Sequence, residues 1–205
     1  MSAQPADTAA QRALEAFLRQ EADEHRQAFE SLLPGLAAPF ERILGIWERA
    51  VRAGGKILLF GNGGSAADAQ HIAAELVIRY HTDRPAIAAI ALTTDTSALT
   101  AGANDHGFER IFSRQIEALG RPGDVAVGIS TSGRSPNVLA ALREARARQL
   151  HTTGLTGADG IELLALCEAA VAVPSPVTAR IQEMHILLGH MLCKALEQRL
   201  GLAPP

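Results

Sequence analysis

Two short segments rich in glycine and hydroxyls carry the residues whose spacing speaks most directly of chemistry. Gly61-Asn62-Gly63-Gly64-Ser65 and Ser130-Thr131-Ser132-Gly133-Arg134-Ser135 each follow an apolar run and precede a helical pattern. Such turns gather hydroxyls, backbone N–H groups and the positive end of a helix dipole, which together hold a phosphate dianion without Lys or Arg. Pro136 suits the first helical position after the second turn. An ordinary helix cap needs a single hydroxyl, and four surround Gly133. The first turn alone also fits the G-x-G-x-x-G/A dinucleotide pattern. Its ribose-binding acid would be Asp95, about 30 residues on instead of the usual ~20. No Gly-Lys-Ser/Thr follows, so it is not a Walker loop.

Acid–base groups follow on helical patterns. His71 and Glu75 stand i,i+4 on one face. Arg180, Gln182, Glu183, His185 and His190 punctuate an otherwise apolar pattern near the end of the chain. A carboxylate and imidazoles beside a bound sugar phosphate are the reagents for moving a proton between adjacent carbons. Taken singly, each also fits a plainer place: His71 and His185 in a core or interface, Glu75 on a solvated helix face.

These groups need a frame. Helical periodicity without strand signal fills the first 54 residues: Leu14, Phe17, Leu18, Phe29 and Leu32-Leu33, a break at Pro34-Gly35, then Phe40, Ile43, Leu44, Ile46, Trp47 and Val51, stopped by Gly54-Gly55. From Lys56 the period changes. Residues 56–60, 87–92, 124–129, 152–155 and 169–173 read as buried strands, separated by helices near 65–80, 96–119 (with a break), 135–149 and 161–166 and closed by a long helix at 178–200. Alternating strand and helix implies an α/β fold, a doubly wound parallel five-stranded sheet with helices on both faces, preceded by N-terminal helices. The expected organisation is residues 1–55 as those helices, 56–200 as the α/β domain and 201–205 as a loose tail.

Composition narrows the partners. A chain of 205 residues, 47% apolar, builds one good core. Net charge is −3 with no basic stripe, which argues against nucleic acid. The longest apolar run, Ala86 to Leu92, is too short to cross a bilayer. The first residues lack signal-peptide character, and Cys167 and Cys193 lie in apolar helical patterns as buried thiols. The expectation is a cytoplasmic protein with no membrane or nucleic-acid partner.

From Lys56 to about Leu200 the chain resembles the sugar isomerase (SIS) domain family, and within it the bacterial phosphoheptose isomerases. The resemblance rests on GNGGSAADAQHIAAEL, RPAIAAIALTTDTSALTAGAND, FSRQIEALGRPGDVAVGISTSGRSPNV and ARIQEMHILLGHMLC, in that order. It implies isomerisation of sedoheptulose 7-phosphate to glycero-manno-heptose 7-phosphate, the first step toward nucleotide-activated heptose and its glycans, lipopolysaccharide among them. It places substrate contacts on Asn62, Gly63, Gly64, Ser65, Glu75, Asn104, Asp105, Ser130, Thr131, Ser132, Ser135 and Gln182. It places the catalytic pair on Glu75 and His190, and one zinc ion per subunit on His71, Glu75, Gln182 and His190. It also implies a homotetramer with sites at subunit interfaces, the N-terminal helices forming part of the oligomer core.

Two points of chemistry sit uneasily with that ligand set. A metal-bound carboxylate is a weakened base, so the two roles of Glu75 compete. Gln182 and His190 lie about 12 Å apart along a regular helix, and spacing alone prefers His185, close to one turn from Gln182. Ala74 and Ala179 stand where some members have Glu and Asp. Rival readings are a non-catalytic SIS protein that binds a replication initiator, which lacks the groups found here at Glu75 and His190, and an isomerase of another sugar phosphate. A sugar-sensing regulator would need a DNA-binding segment, and the first 54 residues show no helix-turn-helix character.

Overall fold

The computed structural model describes residues 5–204. Its elements run α1 (Pro5–Arg52), β1 (Ile57–Gly61), α2 (Gly64–Val77), β2 (Ala89–Ala91), α3 (Thr96–His106), a 3-10 turn (Phe108–Arg110), α4 (Ile111–Leu119), β3 (Val125–Ser130), α5 (Pro136–Ala147), β4 (His151–Gly157), α6 (Ile161–Leu166), β5 (Ala169–Val173) and α7 (Thr178–Arg199). All four strand pairings are parallel and the order is β2-β1-β3-β4-β5. Central β1 and β3 are buried at every position, as a sheet covered on both faces requires. Alternate strand residues feed two cores. Ile57, Leu59, Val127 and Leu155 pack with α1, α2 and α7, while Leu58, Phe60 and Ala126 pack with α4, α5 and α6. The fold is the doubly wound α/β sandwich that the strand–helix alternation implies.

The N-terminal part differs from the expected pair of helices. One 48-residue helix runs through Pro34 and Pro39. Proline removes a helical hydrogen bond, yet here Pro34 and Gly35 are exposed, and the buried stripe Ala28, Leu32, Leu36, Ile43, Trp47, Ala50 stays in phase across them. Burial of one continuous face outweighs the local break. The tail also differs from a loose one over its described residues. Gly201 (φ 72°) turns the chain back, the Leu202 N–H donates to Glu197 O at 2.8 Å, and Leu202 packs on the larger core. Pro205 lies outside the described residues. Both cysteines are free thiols, and burial pushes each up to about 12, which leaves them inert at neutral pH. No helix among the described residues is long and apolar enough to cross a membrane.

Candidate active site

The sheet order reverses between β1 and β3, and that is where a doubly wound sheet opens a crevice at its carboxyl edge. Gly61 pairs with Ile129, so the two hydroxyl- and glycine-rich turns leave the sheet side by side. In the first, Gly63 takes φ 56° as the cap of α2, and Gly63 and Gly64 are exposed. Ser65 is instead buried beneath the turn, where its Cβ would lie 2.8 Å from any Cβ on Gly61. In the second, the Ser130 and Ser135 hydroxyls meet at 2.9 Å, and Gly133 (φ 62°) closes the turn by donating its N–H to Ser130 O. The Ser135 side chain makes no capping bond at the start of α5. The hydroxyls are therefore not spent on capping. Thr131 and Ser132 are half-buried and, with Arg134, Asp159 and Thr178, line a cleft of about 190 Å³.

Asn62 and Asn137 lock these turns together. Each amide donates to the other's carbonyl oxygen, at 2.9 and 2.8 Å, and Asn137 is 2% exposed. The Asn62 side chain thus reaches across to α5 and braces the turn. Asn137 was not among the residues singled out from the sequence. Its signal was its place right after Pro136, in the first turn of α5 beside the hydroxyl-rich turn.

The acid–base groups lie along a second line, the seam between α2 and α7. Gln182 packs on Gly64, Gly189 on Ile72, and His190 on His71, so the two helices run parallel. A Cβ on Gly64 would sit 2.5 Å from Gln182 Nε2, and one on Gly189 2.6 Å from Ile72 Cδ1. Two glycines thus let the helices approach. Where they do, the Nε2 atoms of His71 and His190 stand 2.8 Å apart, and His71 Nε2 lies 3.3 Å from Glu75 Oε1. The Tyr80 ring lies against His190, centroids 5.6 Å apart. One ligand atom each from His71, Glu75 and His190 fits within 4.8 Å of the others. Two imidazoles and a carboxylate so gathered match the donor set of a divalent transition metal such as zinc. They equally suit proton relay. Asp68, one turn before His71, has an Oδ2 without a hydrogen-bond partner among the described residues; burial pushes its carboxyl up to about 6, opposed by nearby His71. It too was missed, although i,i+3 spacing puts it on the His71 face.

Other candidates fall elsewhere. His185 points away from the seam into the core, 0% exposed, with Nε2 3.1 Å from Thr156 O, and burial lowers its pKa to about 4. The spacing preference for His185 as a ligand is therefore overturned. Five residues from His185 to His190 rotate the helix past the sheet and onto α2. Gln182 stays at the Gly64 end of the seam, where its amide packs on the first turn of α2, two turns before His71. Asn104 and Asp105 are exposed at the end of α3, bonded to each other at 2.8 Å, with Asp105 in a cleft toward α4. Among the described residues of a single chain, no hydrogen bond links them to the two turns or to the seam.

The similarity to known proteins is extensive. The SIS domain model matches residues 11–157. The phosphoheptose isomerase of Paramagnetospirillum magneticum is 59% identical over 181 residues, 88% of this chain and 94% of that one. The solved phosphoheptose isomerase of Neisseria gonorrhoeae superposes with a TM-score of 0.84 at 45% identity, covering 90% of this chain and 99% of that one. That of Francisella tularensis gives 0.86 at 34% identity, covering 91% and 98%. Alike in sequence and backbone over nearly its whole length, the chain belongs to the SIS domain family, in its phosphoheptose isomerase branch.

Proposed function

We propose that this protein is an aldose–ketose isomerase that converts sedoheptulose 7-phosphate to D-glycero-D-manno-heptose 7-phosphate, at the start of nucleotide-activated heptose synthesis. One observation carries the reading: Glu75 and His190 converge beside His71 on a seam whose other end abuts the phosphate-type turns. Ser130, Thr131, Ser132 and Ser135, with the exposed Gly63 and Gly64, hold the phosphoryl group. Glu75 removes the proton from C1, and His190 exchanges protons on the opposite side, so that the enediol is reprotonated at C2. Asn104 and Asp105 join the site only through assembly.

His71, Glu75 and His190 would hold a zinc ion, with Gln182 as fourth ligand on the strength of the resemblance alone. Bound there, zinc supplies Lewis-acid polarisation of the substrate oxygens. A cation on Glu75 would weaken it as a base, so its occupancy and its basicity trade against each other.

Exposed apolar surface supports assembly. Leu14, Phe17 and Leu18 are each more than half exposed at i, i+3, i+4 on α1, an apolar stripe that a second copy would cover. Residues 1–55 then form part of a homotetramer core around SIS domains spanning 56–200, in the cytoplasm.

A coupled assay with sedoheptulose 7-phosphate, with and without chelator, tests the reaction and the metal together. Glu75→Gln and His190→Gln are expected to lose roughly 10²- to 10⁴-fold in kcat while staying folded. Near-parental turnover in either removes that residue from proton transfer. No turnover by the parent protein sinks the isomerase reading and revives the non-catalytic SIS protein.

A further inference from the structure

Helix α2 ends within a turn of Glu75, and the last carbonyls of a helix lack partners inside it. Arg84, in the loop toward β2, folds back to supply them. Its Nη2 donates to Glu75 O at 2.8 Å and its Nη1 to Leu76 O at 2.7 Å. The same Nη1 reaches Pro85 O at 2.9 Å. Its Nε donates to Glu197 Oε1 at 2.7 Å, and both side chains are 1% exposed. Glu197 lies seven residues after His190 on α7, so two turns of helix put both on the face toward α2. The same Oε1 accepts the Tyr80 N–H at 3.0 Å, and Tyr80 carries the ring that rests on His190.

A single carboxylate oxygen thus joins three things. It holds the guanidinium that grips the backbone of Glu75, the backbone that aims Tyr80 at His190, and α7 itself. Stability does not demand ions here, because well-packed apolar residues often replace a buried pair at no loss. An apolar pair, however, cannot pin two carbonyls in a fixed plane as a guanidinium fork does. We propose that Arg84 and Glu197 are positioning residues for proton transfer: together they set the separation and orientation of Glu75 on α2 and His190 on α7. The inference rests on the isomerase reading of those two residues.

Arg84→Lys keeps a cation opposite Glu197 but cannot span both carbonyls. Glu197→Gln keeps an acceptor for Tyr80 N–H and Arg84 Nε without the charge. Each is assayed with sedoheptulose 7-phosphate and by thermal unfolding. Because about 1 Å of misplacement costs on the order of 10²-fold, kcat is expected to fall roughly 10- to 100-fold in Arg84→Lys, with KM within about threefold. Glu197→Gln should show the same split, more weakly. A purely structural pair would lower the melting temperature yet leave kcat per folded molecule within twofold of the parent, and that result overturns the proposal. Should neither variant fold, Tyr80→Leu decides, since it keeps the backbone bond to Glu197 and removes only the ring on His190. A drop in kcat at unchanged KM supports positioning, and unchanged kcat refutes it. An inactive parent refutes the isomerase reading, and this inference with it, before any variant is compared.

Discussion

Replacing Asn137 with Ala tests whether the two turns act as one grip. The substitution removes both reciprocal bonds to Asn62 and the local bond from Val138 N–H to Asn137 Oδ1. A neutral hydrogen bond is worth about 0.5–1.5 kcal/mol net, so losing the two that bridge the turns costs about 2 kcal/mol. Asn62 is half-buried, and water reaching its amide limits any further penalty. For a chain of this size, about 2 kcal/mol corresponds to a fall in melting temperature of about 4–8 °C. The same tether is then missing when substrate arrives, and binding must re-impose it. If all of it is felt, KM rises up to about 30-fold, with kcat much less affected. Inorganic phosphate as competitive inhibitor reads the grip apart from the chemistry and should weaken in parallel. Asn137→Asp conserves volume but turns a donor into an acceptor and adds negative charge at the start of α5. Its KM should exceed that of Asn137→Ala. The reasoning fails if Asn137→Ala leaves both KM and phosphate inhibition within twofold of the parent, or if Asp and Ala bind substrate equally.

Two further substitutions probe the seam and the core. In Gly189→Ala the new Cβ meets the end of Ile72 at 2.6 Å. Helix propensity gains about 1 kcal/mol while overpacking costs about 1–3 kcal/mol, so melting shifts little while the spread of His71 from His190 lowers kcat and metal affinity. Retained activity with unchanged metal binding would show that the close approach is not needed. His185 is buried neutral with its pKa lowered to about 4, below the value near 6.5 of an unfolded chain, so between those pH values the unfolded state binds the extra proton. Stability therefore rises with pH across that window and falls by about 3 kcal/mol on acidification through it. Asp68, raised to about 6, works in the opposite sense. His185→Gln retains an N–H for Thr156 O, and urea unfolding at pH 7, 5.5 and 4.5 should show a shallower acid loss than the parent; equal slopes would refute the assignment.

Most of the α/β layer is legible along the chain because its information is local. Buried strands appear as near-continuous apolar runs, and β5 and α6 fall where those runs predict, at 169–173 and 161–166. Strand β2 shrinks from a six-residue run to three residues: the ladder with β1 runs through Ala89–Ala91, flanked by single bonds from Ile57 N–H to Ala88 O and from Leu92 N–H to Leu59 O. The N-terminal break fails for the opposite reason. Pro34-Gly35 is a strong local signal, but the buried stripe on either side keeps its phase, and burial of that face against the sheet and α7 outweighs one missing bond.

The site is less legible, because its decisive contacts join residues far apart in the chain, 75 positions for Asn62 and Asn137 and 119 for His71 and His190. Gly64 and Gly189 look ordinary until α2 and α7 are laid in parallel, when each becomes the place where the other helix must fit. The 12 Å between Gln182 and His190, awkward for one metal ion, becomes informative on this seam. Gln182 marks the end beside the glycine-rich turn before α2, and His190 the end beside Glu75. From Gly64 to His71 the helix rises about 10 Å, which separates the proposed phosphate grip from the His71, Glu75 and His190 cluster. In a ketose 7-phosphate the reacting C1 and C2 lie at the far end of the carbon chain from the phosphate, so an extended substrate fits this separation. A five-carbon ketose phosphate held by the same turns falls two carbons short of Glu75. It should still bind, competing with the seven-carbon substrate, while its kcat/KM falls by at least about 10²-fold through kcat. Comparable kcat for the two chain lengths would show that the turns and the seam do not measure the substrate between them, and specificity would then have to come from residues supplied by another subunit.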